Sequence, residues 1–137
     1  MNVRPLVTAD EPHLSALVGD RPGLALGTSA HVGSRSNGAD LVVEERGTVV
    51  AHGFYRRLYG PTAELAVVAV GDHRLDVATV LVRALAAQAR DEGISRLVLE
   101  LPATDDEGLA AMRSAGRTHE LVEGDMDMIQ VQLLVAP

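Results

Sequence analysis

Apolar positions along the chain change period several times, and each change marks an element boundary. Asn2 to Val7 reads as a short strand. Thr8 and Asp10 then offer competing N-caps for a helix whose first turn can hold Pro12, with Leu14, Leu17 and Val18 as its apolar stripe. Gly19 to Asp40 breaks the rhythm, because five glycines with scattered Ser, Pro and Asn sustain neither period. A long loop with at most one short helix is predicted there, and a loop of that length in a compact domain is usually functional or mobile. Period-two patterning returns over Leu41 to Glu44 and Thr48 to Arg56, on either side of a turn at 45–47, and predicts a hairpin. Thr62 to Val70 follows as a third strand, and its unbroken apolar run from Leu65 predicts burial on both faces.

From about Asp76 to Glu92 the period becomes helical, with Val77, Leu81, Ala84, Leu85 and Gln88 on one side. Gly93 stops that helix, and Ile94 stands where a Schellman cap places its hydrophobic contact. Arg96 to Leu101 is the next strand. Thr104 and Glu107 then form a capping box for a helix running to Ala115, with Asp105 and Asp106 adding negative charge at its start. Gly116 ends the helix, and the remainder splits at Gly124 into a closing hairpin, Arg117 to Glu123 and Met126 to Val135. Met126 and Met128 alternate with Asp125 and Asp127, as on a half-buried strand. Strand, helix and strand in the centre favour a mixed sheet with a right-handed crossover, whose loop is the place to look for a ligand. No repeat or second boundary appears, so residues 1–137 are expected to form a single domain.

Composition narrows the picture. At 137 residues one core is expected, and with one Phe, two Tyr and no Trp it must be filled by Val, Leu and Ala. A net charge of -7 argues against non-specific binding to nucleic acid or an anionic membrane. Cysteine is absent, which excludes disulfides, a thiol nucleophile and Cys-ligated metal. No signal-like or membrane-spanning apolar run is present, so a cytoplasmic protein is the default expectation.

The segment AELAVVAVGDHRLDVATVLVRALAAQARDEGISRLVLELPA, Ala63 to Ala103, with a weaker continuation through Gly116, resembles the GNAT N-acetyltransferase superfamily. It is similar in particular to the bacterial protein-lysine acetyltransferases, which share a glutamate on the central strand. The resemblance implies an α/β GNAT acyl-CoA N-acyltransferase fold. Its central sheet is mixed and mostly antiparallel, of about seven strands, with three or four flanking helices. It further implies that Glu64 stands where that branch has its general base. The acetyl-CoA or other acyl-CoA site would then take in Val68, Val70, His73, Arg74, Asp76, Ala78, Thr79 and Asp105.

In the family, a Q/R-x-x-G-x-G/A loop holds the acyl-CoA pyrophosphate on backbone N–H groups and a helix N-terminus, and glycine lets the phosphate come close. Here His73 replaces the Gln or Arg, Asp76 replaces the first glycine, and only Ala78 fits. Asp76 adds bulk and a negative charge where a dianion must approach, and its carboxylate could cap the same N–H groups. Two unit charges about 5 Å apart at a dielectric near 20 interact by roughly 3 kcal/mol, on the order of a hundredfold in affinity. Arg74 folded over the phosphates would offset part of this. Asp105 replaces an Asn that contacts CoA in many relatives, although it is better explained as a helix cap. Met112 stands where many have a Tyr that protonates the leaving thiolate, and Arg117 replaces a common aromatic residue.

The five histidines, His13, His31, His52, His73 and His119, lack metal-site spacing, and no metal site is expected. Glu64 or Asp72 beside His73 could form an acid–histidine pair, but nothing marks a nucleophile elbow. Arg56 and Arg57 with Tyr55 and Tyr59 could line an anion pocket, though solvated strand-end charges explain them better. Three functional readings follow. The first is a catalytically impaired homologue that binds a small molecule or protein of unidentified class in the retained cleft. The second is an active acyl-CoA-dependent N-acetyltransferase acting on a protein lysine or small amine through Glu64. The third is an interaction subunit that forms a homodimer through an edge strand or the closing hairpin.

Overall fold

The computed structural model describes residues 1–14, 17, 23–27, 38–122 and 127–135. Among these residues the strands are β1 Asn2–Pro5, β2 Gly23–Leu26, β3 Gly38–Glu45, β4 Thr48–Tyr59, β5 Thr62–Val70, β6 Arg96–Pro102, β7 Thr118–Val122 and β8 Met128–Leu134. The helices are α1 Glu11–Leu14, α2 Arg74–Asp91 and α3 Asp106–Ala115, and a 3-10 turn spans Thr8–Asp10. One mixed sheet runs in the order β1-β3-β4-β5-β6-β8-β7, with β2 pairing β5 off that path. Every pairing is antiparallel except β5 with β6, which the α2 crossover joins in parallel. The mixed, mostly antiparallel GNAT-type sheet expected from the sequence is therefore the observed one, with eight strands among the described residues.

Alternation on β3, β4 and β5 sends Leu41, Val43, Ala51, Tyr55, Leu65 and Val67 to the α2 face, where Val77, Leu81, Val82 and Leu85 meet them. Gly53 lets the helix come close. A Cβ there would lie 2.9 Å from both Leu85 Cδ1 and Val67 Cγ2. The opposite face carries a smaller cluster in which Leu14 and Leu17 cover Val42, Val49 and Val70. At the far end of α2, Gly93 takes φ 83°, and the N–H groups of Ile94 and Gly93 bond the carbonyls of Ala89 and Arg90 at 2.9 and 3.1 Å. This is the predicted Schellman cap, with Ile94 buried.

Three local expectations are corrected. Asp10 does not cap α1. Its carboxylate turns back to accept from Val7 N–H at 2.9 Å and from both Arg4 Nη atoms at 2.8 and 2.9 Å. The capping box at Thr104 does not form either, since Asp105 is the N-cap of α3 and accepts from Gly108 N–H at 3.0 Å. Finally, the loop expected over 19–40 contains β2, and β3 begins at Gly38, earlier than predicted. Val18, His31 and Met126 lie outside the described residues. Among the described residues no helix is long and apolar enough to cross a membrane.

Candidate functional site

Parallel strands β5 and β6 pair only briefly, with Thr62, Ala63 and Glu64 opposite Arg96, Leu97 and Val98. Beyond that point β5 follows β4 and β6 follows β8, so the two part company towards their carboxyl ends. Each then runs into a helix, β5 into α2 and β6 into α3. A crevice outside the carboxyl ends of parallel strands is where open sheets take ligands, and two helix N-termini there favour an anion. The two helix entries are tied together, because Arg74 Nη2 in the first turn of α2 donates to Glu107 Oε2 in the first turn of α3 at 3.0 Å.

The charges at these entries oppose an anion. Residues 71–77 and 104–108 carry Asp72, Asp76, Asp105, Asp106 and Glu107 against the single cation Arg74. Arg74 is also turned inward, its Nη1 donating to Gly71 O at 3.2 Å, while its buried Nε has no partner. His73 is exposed and occupies the N-cap of α2 without a side-chain cap bond. Asp76 is exposed in the first turn, and no hydrogen bond joins its carboxylate to the N–H groups it was expected to cap. Ala78 is fully buried against the sheet, and Thr79 Oγ1 donates to Leu75 O at 2.9 Å within its own helix. Asp105 is held as the α3 cap. The carboxylate presses against Gly108, where a Cβ would sit 2.4 Å from Oδ2.

Glu64 lies on the sheet face away from α2 and pairs directly across with Arg56 on β4, Nη2 to Oε1 at 2.8 Å. Val68 and Val70 lie on that same face, packed in the smaller cluster. β2 runs antiparallel along β5 on the side away from β4, with Gly23 opposite Val70 and Ala25 opposite Val68. Leu24 and Leu26 enter the main core, only 4% and 1% exposed. The crevice between the diverging strands therefore contains a strand of the chain itself.

Other candidate groups separate. Tyr55 points to the α2 face and donates its hydroxyl to Glu92, and burial together with that carboxylate raises its pKa above the ordinary tyrosine range. Arg57 bonds the carbonyls of Gly60 and Glu92 at 2.8 and 2.7 Å, so these residues and Arg56 do not converge on one pocket. Among the described residues an acid–histidine pair forms instead between His52 Nε2 and Asp40 Oδ1 at 2.8 Å, on the Glu64 face. Alternation places it there, and residue spacing alone gave no signal of it. A cavity of about 370 Å³ lies elsewhere, bordered by Arg4, Asp10, His13 and Glu44. Its cation Arg4 is already bound to Asp10 and Glu44.

The model of the acetyltransferase (GNAT) family matches residues 15–117. No curated protein matches the chain in sequence. Among solved structures, the GNAT domain of S. lividans PAT is 18% identical, with a TM-score of 0.75 over 96% of this chain and 89% of that one. The ribosomal-protein-S18-alanine N-acetyltransferase from Escherichia coli is 20% identical, with a TM-score of 0.71 over 99% and 94%. A variant of spermidine N-acetyltransferase from Vibrio cholerae is 13% identical, with a TM-score of 0.71 over 98% and 95%. At these identities the likeness is one of fold.

Proposed function

The chain belongs to the acetyltransferase (GNAT) family, and from that membership we propose a catalytically impaired homologue that acts as a binding or regulatory module. The observation that carries this reading is the ion pair of Arg74 with Glu107. It withdraws the only cation that the described residues place at the two helix entries and leaves Asp72 and Asp76 exposed beside them. A pyrophosphate approaching the α2 N-terminus would meet repulsion where the family sequence pattern has glycine. These residues do not fit an acyl-CoA pyrophosphate.

Titration calorimetry with coenzyme A tests the reading. The full chain is expected to bind more weakly than millimolar, and Asp76→Asn, which removes one charge without changing size, is expected to bind at least tenfold more tightly. Micromolar binding by the unaltered chain overturns the reading, and an Asp76→Asn variant that binds no better counts against it.

A second reading is favoured by the α2 N-terminus, where Arg74 N–H bonds Gly71 O at 3.3 Å but the N-cap His73 makes no side-chain bond to the first-turn N–H groups that remain for an anion. In that reading the protein is an active N-acetyltransferase of the protein-lysine branch, or one acting on a small amine, with Glu64 as general base. Transfer of acetyl from acetyl-CoA to a lysine peptide, abolished by Glu64→Gln, would decide for it.

A further inference from the structure

The strand inside the crevice is the feature that neither the loop chemistry nor the family membership accounts for. β5 has two edges, and β4 covers one of them along its length. On the other edge β6 covers only Thr62 to Glu64, which leaves the carboxyl half open to whatever can pair with a strand. β2 takes that half, register for register from Val67 to Val70. Its exit is as closely fitted as its body. Gly27 has φ 81°, and a Cβ at that position would stand 2.5 Å from Leu65 O. Leu26 reaches α3, where its Cδ2 lies 3.1 Å from the place a Cβ on Gly108 would occupy. The four residues thus touch both the strand edge and the second helix entry of the site described above.

We propose that β2 is an autoinhibitory strand. It occupies the edge of β5 that the amide-bearing pantetheine arm of an acyl donor would use, and the donor arm binds only when residues 23–27 leave. A pantetheine arm is extended and carries two amides, so it competes for the same unpaired backbone groups that β2 satisfies. The inference rests on the crevice being the donor cleft of the family. It locates the block on the strand edge, whereas the acidic helix entries act on the phosphates.

The test uses S-acetylpantetheine, which has the arm and no phosphate, with the full chain and two variants. Gly27→Ala places a side chain against Leu65 O and strains the docked strand. Ala25→Cys with Val68→Cys, in a chain with no other cysteine, joins two directly opposite residues when oxidised and frees them when reduced. In Gly27→Ala, hydrogen exchange at those amides of Val67 to Val70 that face β2 and not β4 is expected to be at least tenfold faster than in the unaltered chain, with Leu81 and Leu85 unchanged. S-acetylpantetheine is expected to bind that variant at least tenfold more tightly. The oxidised cysteine pair should not bind it, and reduction should restore binding.

Fast exchange in Gly27→Ala without tighter binding overturns the proposal, as does an oxidised pair that binds as well as the reduced one. Should Gly27→Ala fail to fold, the cysteine pair alone decides. Failure of this proposal leaves the phosphate reading standing, since the probe has no phosphate. That reading fails separately, through micromolar binding of coenzyme A.

Discussion

Asp10 shows how one residue can be read correctly as important and wrongly as to its partner. Its short acidic side chain before Glu11 and Pro12 fits a helix cap, yet Arg4 on β1 and the Val7 N–H lie behind it and offer better donors. Burial at 4% exposure makes that choice binding, because a carboxylate removed from water needs its partners. Arg4 hydrogen bonds are the main cause that lowers its pKa from 3.8 to about 2, against the opposing effect of burial. A depressed folded-state pKa stabilises above the unfolded value and loses that contribution as pH falls through the folded one. Urea unfolding of Asp10→Asn and the unaltered chain should therefore differ fully at pH 5 and above. The difference should shrink from roughly pH 4 and vanish towards pH 2. A difference independent of pH would mean that the carboxylate's charge contributes nothing.

At the scale of elements, the same competition between neighbours decides where α3 begins. The run Thr104, Asp105, Asp106, Glu107, Gly108 offers two overlapping caps, and the sequence favours the first because Thr104 and Glu107 make a reciprocal box. Tertiary structure settles on the cap also expected of Asp105. Glu107 is taken by Arg74 from α2, which leaves Asp105 to cap through Gly108. Asp105→Ala is expected to cost about 1 kcal/mol in chemical unfolding, whereas Thr104→Ala is expected to cost far less; equal losses would restore the box. The Schellman end of α2, the strands Thr62–Val70 and Arg96–Pro102, and the stop after Ala115 were legible because their signals are local. β2 was not. Gly23, Leu24, Ala25 and Leu26 are too few to show a period, and the residues that define them as a strand lie more than forty positions away on β5. Burial of Leu24 and Leu26, each about 1.5–3 kcal/mol, is a gain visible only once that edge exists. The same limit applied to the site, since Glu64, Val68 and Val70 could be aligned with a pattern, but their partners Arg56 and β2 could not.

For the molecule as a whole, the sign of the electrostatics distinguishes the two functional readings better than any single contact. The chain carries a net charge of -7, and five acids surround the helix entries with one paired arginine among them. A site that grips phosphate with cations binds less tightly as salt rises, because the attraction is screened. Here the long-range interaction with coenzyme A is repulsive, so screening acts in the opposite direction. Raising potassium chloride from about 0.01 M to 1 M shortens the screening length from about 30 Å to 3 Å, and residual binding of coenzyme A should strengthen by about tenfold over that range. The expected gain follows from removing part of a repulsion of roughly 3 kcal/mol. S-acetylpantetheine is the control, because its neutral arm experiences any effect of salt on apolar contacts but none of the charge repulsion. Calorimetry on both ligands separates the cases. Coenzyme A affinity that rises with salt while the control stays flat supports an anion-repelling crevice. Affinity that falls with salt identifies a working phosphate grip and returns the chain to the active acetyltransferases.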